Sequence, residues 1–248
     1  MKHRFAWALL VVAALGASAQ TQIAPAAPAA IATTPAPQKE NAALLAKLYD
    51  FGQLARYRAY NAALPATEPG RVVFFGDSIT DAWVRDGGKF FPGKPYVNRG
   101  ISGQTTPQML VRFREDVLEL HPEAVVILAG TNDIAGNTGP TTNAVIEGNL
   151  ATMAELARAN GIRVIIASIL PVAKYPWKPE LEPAPRIQQI NAWLASFCKQ
   201  KGYTYLDYYT AMADADGGMK PGISIDGVHP NAAGYAIMEP LASAALAQ

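Results

Sequence analysis

Five short apolar, β-branched runs punctuate the chain, at residues 72–75, 96–98, 124–128, 162–167 and 203–206. Runs without polar alternation predict strands buried on both faces, as in a parallel sheet. Between them the apolar spacing turns helical. Leu110, Phe113, Val117 and Leu120 recur after a Thr106-Pro107 start signal, and Ile187, Ile190, Leu194 and Phe197 recur after Pro185. Leu44, Leu48, Phe51 and Leu54 predict one helix before the first strand, and Asn231 is a suitable N-cap for a last helix through Tyr235 and Met238. Strands alternating with helices predict an α/β domain with a mostly parallel five-stranded sheet, for which the flavodoxin-like order 2-1-3-4-5 is suited. In such open sheets ligands bind beyond the carboxyl ends of the strands, near the point where strand order reverses.

The first forty residues follow different rules. Lys2, His3 and Arg4 precede an apolar run over residues 5–16, and Ala17-Ser18-Ala19 supplies small residues at a cleavage position. This is the layout of a secretory signal peptide, 1–19, too short in its apolar part to span a membrane. Residues 20–38, rich in Ala, Pro, Thr and Gln, read as a linker that cannot bury enough apolar surface to order itself. Residues 39–248 then form one domain of an exported, periplasmic or extracellular protein, with no stable membrane insertion after cleavage. Losing Lys2 and Arg4 leaves 19 basic against 20 acidic residues, a net charge of −1, which gives no reason to expect nucleic acid as partner. Cys198 is the sole cysteine and continues the apolar stripe of Ile190 and Leu194, so it reads as core.

The chemistry concentrates at strand ends. Gly76-Asp77-Ser78-Ile79-Thr80 follows the first run, Asn98 to Gly103 the second, Gly130-Thr131-Asn132-Asp133 the third, and Asp226 to Asn231 lies beyond the fifth. A serine nucleophile needs a base. Past the signal segment only His121 and His229 remain; His121, before Pro122, belongs to the opposite rim, which leaves His229 for Ser78. An imidazole base needs an acceptor to fix its tautomer. Asp226 is the economical candidate, with Asp207, Asp214 and Asp216 as rivals. Gly103, through its backbone N–H, and Asn132, through its amide, are candidate oxyanion donors. Two histidines and one cysteine give no metal-ligand cluster. Gly88 to Lys94 imitates a phosphate-binding loop but is followed by Pro95 rather than Ser or Thr, and no G-x-S-x-G elbow is present. Tyr175 and Trp177, in a Pro-rich stretch after the fourth run, are candidate walls for a sugar ring or acyl chain.

GDSIT at 76–80, N-x-G-x-x-G at 98–103, GTND at 130–133 and DGVHPN at 226–231 resemble the blocks of SGNH (GDSL) hydrolases, in the family's order. Ile79 replaces the Leu of the name motif conservatively. The resemblance implies a three-layer α/β/α sandwich, Ser78 as nucleophile, His229 as base and Asp226 as its partner. It further implies Ser78 N–H, Gly103 N–H and Asn132 as oxyanion donors, and no cofactor. It leads us to expect a serine carboxylic ester hydrolase, and export with a near-neutral surface points to small acyl groups carried by carbohydrate. A lysophospholipase-like or platelet-activating-factor acetylhydrolase-like lipid esterase, a glycan O-acyltransferase and a non-catalytic glycan-binding module are the alternatives.

Overall fold

The polar breaks between the apolar runs become the helix caps and crossovers of a doubly wound sheet. The computed structural model describes residues 38–84 and 90–248. The signal segment, the linker as far as residue 37 and part of the 88–94 stretch lie outside the described residues. Ala42 to Gln248 form one compact unit.

The strands are β1 (Val72–Gly76), β2 (Tyr96–Gly100), β3 (Ala124–Leu128), β4 (Arg163–Ala167) and β5 (Thr204–Leu206). All pair in parallel, in the order β2-β1-β3-β4-β5. Gly76 stands level with Gly100 on one side and Leu128 on the other, so three carboxyl ends finish in one row where the order reverses.

The helices are α1 (Gln38–Tyr49), α2 (Ala55–Ala63), α3 (Ser78–Ala82), α4 (Thr106–Asp116), α5 (Thr131–Ile134), α6 (Asn143–Ala159), α7 (Pro183–Lys201), α8 (Tyr208–Met212) and α9 (Ala232–Leu246). Side chains alternate across a strand, and the core divides accordingly. Val73, Phe75, Val125, Ile127, Val164 and Ile166 pack with apolar residues of α4, α6 and α7. Phe74, Val126 and Ile165 face the other way, toward α3, α8 and α9. Helices on both faces of a parallel sheet make three layers.

Local chemistry fixes the helix starts. Ahead of α4 the Gln108 side chain accepts a hydrogen bond from Thr105 N–H at 3.0 Å. At α9 the expected cap forms, Asn231 Oδ1 accepting from the N–H groups of Ala233 and Gly234. Pro183 and Pro185 sit in the first turn of α7, where a missing N–H is harmless. Cys198 is buried on that helix, and burial pushes its thiol up to about 12.

The single helix expected through Leu44, Leu48, Phe51 and Leu54 is instead two. α1 stops at Tyr49, Gln53 adopts a positive φ of 54°, and the Asp50 carboxylate takes the Leu54 N–H at 2.8 Å before α2. A side chain at Gly52 would meet Val111 Cγ1 at 2.8 Å, so the break is where the chain passes close to α4. Leu44 and Leu48 are 65% and 72% exposed rather than core. α4 also ends early: Leu120 belongs to a separate 3₁₀ turn, after which His121 turns left-handed into Pro122.

Candidate active site

The carboxyl ends of β1, β2 and β3 bring the polar motifs to one place. α3 begins directly after β1, with Asp77 as N-cap accepting from Ile79 N–H at 3.0 Å, and this sharp turn presents Ser78 at the rim. α3 lies so closely against β2 that a Cβ on Gly100 would collide with the Asp81 backbone nitrogen. Asn98 fastens the contact, donating to Thr80 O at 2.6 Å and accepting from Gly100 N–H at 2.9 Å. Tyr235, on α9, holds the other side through Ile79 O at 2.8 Å.

His229 and Asp226 come from one short loop. Asp226 Oδ1 accepts the N–H groups of Val228 and His229 at 3.0 and 2.8 Å, and Oδ2 faces His229 Nδ1 at 2.8 Å. A carboxylate can only accept, so Nδ1 carries the ring proton and Nε2 is free to accept. Ser78 Oγ lies 3.0 Å from Nε2. Partial burial works to raise the Asp226 carboxyl, but the His229 N–H, its ring and the Val228 N–H outweigh it and hold it below the ordinary value. The rival carboxylates serve their own turns: Asp207 caps α8 through Thr210, and Asp214 accepts from Asp216 and Gly218 N–H. Asp216 is exposed in that turn.

Gly103 has a φ of +80°, a conformation that favours glycine. Neither its N–H nor that of Ser78 finds an acceptor among the described residues. Asn132 is buried in α5; its amide donates to Gln104 O at 3.0 Å and its Oδ1 accepts from Asn137 at 2.9 Å. Asn137 donates as well to Gly103 O at 3.1 Å, so the two candidate donors share one clamp.

Trp177 is 44% exposed and its ring centre stands 6.2 Å from that of His229. Tyr175 is placed differently from the expectation. It is wholly buried, donates to Thr131 O at 2.9 Å and backs the Trp177 ring at 5.3 Å, so it offers no surface of its own to a ligand. Beside Gly103 a groove of about 880 Å³ opens between Leu44, Leu48 and Phe51 on one side and Asn137 and Lys178 on the other. Among the described residues no group of three His, Cys, Asp or Glu side chains could hold a metal ion, and no helix is long and apolar enough to cross a membrane.

Three buried ionisable groups lie beneath the rim, two of them inside the quoted motifs and the third, Arg112, outside every one of them. Asp77 is fully buried, its Oδ2 has no partner among the described residues, and desolvation raises its carboxyl to about 7 against the pull of the Ile79 N–H and the His229 charge. Asp133 is raised by burial and opposed by hydrogen bonds from Thr106 N–H and Oγ, at 2.9 and 2.7 Å. Arg112, on α4, is buried without any exposed surface. It occupies the register of Met109, Phe113 and Asp116, and a cation–anion pair four residues apart on an apolar stripe was the available sign of an inward-facing charge.

Known proteins resemble this chain to different extents. A GDSL-like lipase from Bacteroides thetaiotaomicron is 46% identical, with a TM-score of 0.77 over 79% of this chain and 98% of that one. Esterase TesA of Pseudomonas aeruginosa is 30% identical over 138 residues, 54% of this chain and 60% of TesA. The uncharacterized lipoprotein YqeF of Bacillus subtilis is 36% identical over 80 residues, 31% of this chain and 32% of YqeF. The chain therefore spans about a third of YqeF and three-fifths of TesA, the two curated relatives it matches. Residues 74–237, which hold every residue of the Ser78–His229 cluster, match the GDSL-like lipase/acylhydrolase family, and the chain belongs to that family.

Proposed function

We propose that in this serine ester hydrolase Ser78 is the nucleophile, His229 the general base and Asp226 the acceptor that orients it. The observation that carries this reading is the unbroken relay from Ser78 Oγ to Nε2 at 3.0 Å and from Nδ1 to Asp226 at 2.8 Å. Ser78 Oγ bonds to the ester carbonyl carbon as its proton passes to Nε2. The negative oxygen is received by the N–H groups of Ser78 and Gly103 and by the Asn132 amide. Collapse breaks the bond to the leaving oxygen, which takes the proton from Nε2. Water then attacks the acyl-enzyme, His229 again takes and returns the proton, and the acid leaves with Ser78 restored.

The leaving alcohol must approach His229, and the exposed Trp177 face beside that ring supports a carbohydrate alcohol, hence an acylated glycan. A second reading, a lipid ester, is favoured by the apolar Leu44, Leu48 and Phe51 wall of the groove that starts at Gly103. Export rests on the layout of residues 1–19. The first test is hydrolysis of p-nitrophenyl acetate and butyrate by the wild type and by Ser78→Ala. We expect a fall of about 10⁴-fold or more on loss of the nucleophile; equal rates would remove Ser78 from the mechanism. Acetylated xylo-oligosaccharides against lysophospholipids then decide between the two substrate readings, the faster substrate winning.

A further inference from the structure

The three proposed oxyanion donors come from three different segments, after β1, after β2 and in α5, and something must hold them to a common geometry. Arg112 touches the first two supports directly and reaches the third through Gln104. Its Nη2 donates to Gly76 O at 2.9 Å, two residues before Ser78. Its Nη1 donates to Arg99 O at 2.9 Å, at the end of β2 before the Gly103 loop. Its Nε donates to Gln104 Oε1 at 2.6 Å, next in sequence to Gly103, and the Gln104 carbonyl in turn receives the Asn132 amide at 3.0 Å. Gln104 is itself tied to Gly52 O at 2.9 Å. The guanidinium lies 4.1 Å from the centre of the Phe75 ring, between sheet and helix, and its charge is matched by Asp116 at 2.9 Å.

We propose that Arg112 is a positioning residue of the proposed hydrolysis, setting the mutual geometry of the Ser78, Gly103 and Asn132 donors from beneath. This rests on the reading of those groups as oxyanion donors. The physical reason for arginine is its rigid planar fork. One guanidinium presents donors in three directions at fixed angles, whereas a lysine ammonium satisfies Asp116 as a point charge without fixing the carbonyls of Gly76 and Arg99. Donors that stabilise a developing charge act only when they already point at it, and displacement by about 1 Å can lower a rate by about 10²-fold. A salt bridge with Asp116 alone explains neither the bonds to both strand ends nor the bond to Gln104. Arg112 touches no substrate, so its effect is expected in the chemical step and not in substrate capture.

The test compares Arg112→Lys with Asp116→Asn, with kcat expressed per active site titrated by a phosphonate ester. For Arg112→Lys we expect kcat on p-nitrophenyl butyrate to fall about 10- to 100-fold with KM changed less than about threefold. The affinity for butaneboronic acid, whose adduct with Ser78 carries the tetrahedral negative charge, should weaken by a similar factor. Asp116→Asn disturbs the charge pair but leaves the fork, and should lower the melting temperature while keeping kcat within about threefold. Should Arg112→Lys not fold, Gln104→Met cuts the link between the guanidinium and the Gly103 loop and should lower kcat about tenfold with unchanged KM. An Arg112→Lys or Gln104→Met protein with wild-type kcat, or an Asp116→Asn protein that loses kcat equally, overturns the proposal. If Ser78→Ala also hydrolyses at the wild-type rate, the serine reading falls and takes this one with it; normal dependence on Ser78 with an unimpaired Arg112→Lys overturns the positioning role alone.

Discussion

Asp77 offers a quantitative check on the electrostatics beneath the nucleophile. It is completely buried, and burial lifts its carboxyl from an ordinary 3.8 to about 7. A group raised in the folded state favours folding while it stays protonated, and that contribution is lost as pH rises through the interval from 3.8 to about 7. Across that window the loss amounts to about 4 kcal/mol. Asp77→Asn keeps the oxygen that caps Ile79 N–H and removes the ionisation. It places an NH₂ where Oδ2 finds no partner among the described residues, which costs about 1–3 kcal/mol at every pH. Near pH 4.5 the wild type has already lost about 1 kcal/mol, so the variant is expected to be less stable there by no more than about 2 kcal/mol, and more stable near pH 8 by about 1–3 kcal/mol. Urea unfolding of both proteins between about pH 4.5 and 8.5 measures this directly, because groups common to both cancel in the difference. A difference that stays constant within about 0.5 kcal/mol across the range, or that slopes the other way, would refute the reasoning.

Two further outcomes can be checked on the same protein. Asn132→Ala removes a proposed oxyanion donor and should lower kcat about 10²–10³-fold with little change in KM; a loss below about fivefold in ester kinetics would take Asn132 out of that role. The Cys198 thiol, buried and pushed up to about 12, should react with a thiol reagent at about pH 8 only when the chain unfolds, so that labelling follows denaturant concentration; complete labelling within minutes in buffer would contradict the packing of α7.

The sheet was legible because a strand buried on both faces has to be written in continuous apolar residues, and such runs are hard to mistake at residues 72–75 or 124–128. The rim was legible for a related reason: the turns after those strands, with Ser78, Gly103 and Asn132, carry glycine and small polar residues; Ser78 lies 3.0 Å from His229, and Asn137 ties Gly103 to Asn132. Spacing says less about which way a half-apolar helix faces. Leu44 and Leu48 repeat as a core stripe would, yet Gly52 and the Asp50 cap end that helix, and the leucines line a groove. Tyr175 and Trp177 look alike in sequence; the hydrogen bond to Thr131 that anchors the first inside spans 44 positions and leaves no local trace. Arg112 was invisible for a different reason, since an arginine on a helix ordinarily reaches solvent and only its register with Met109 and Phe113 marks it as internal.

The pairing of Asp226 with His229 inside a single short turn concentrates all long-distance error of the proposed relay in one gap. Asp226 binds the backbone of the residue whose ring it faces, so the two side chains travel as a preassembled cartridge. Ser78, 151 positions away, is the one member that must be brought into register by the whole fold. Breathing of the domain, a change in α9 or drift of β5 would alter the distance from Ser78 to Nε2 and leave the imidazole's tautomer as it was. A chain still being made would accordingly carry Ser78 long before the cartridge arrived, and the proposed relay would stay incomplete until the C-terminal segment had folded back onto β1.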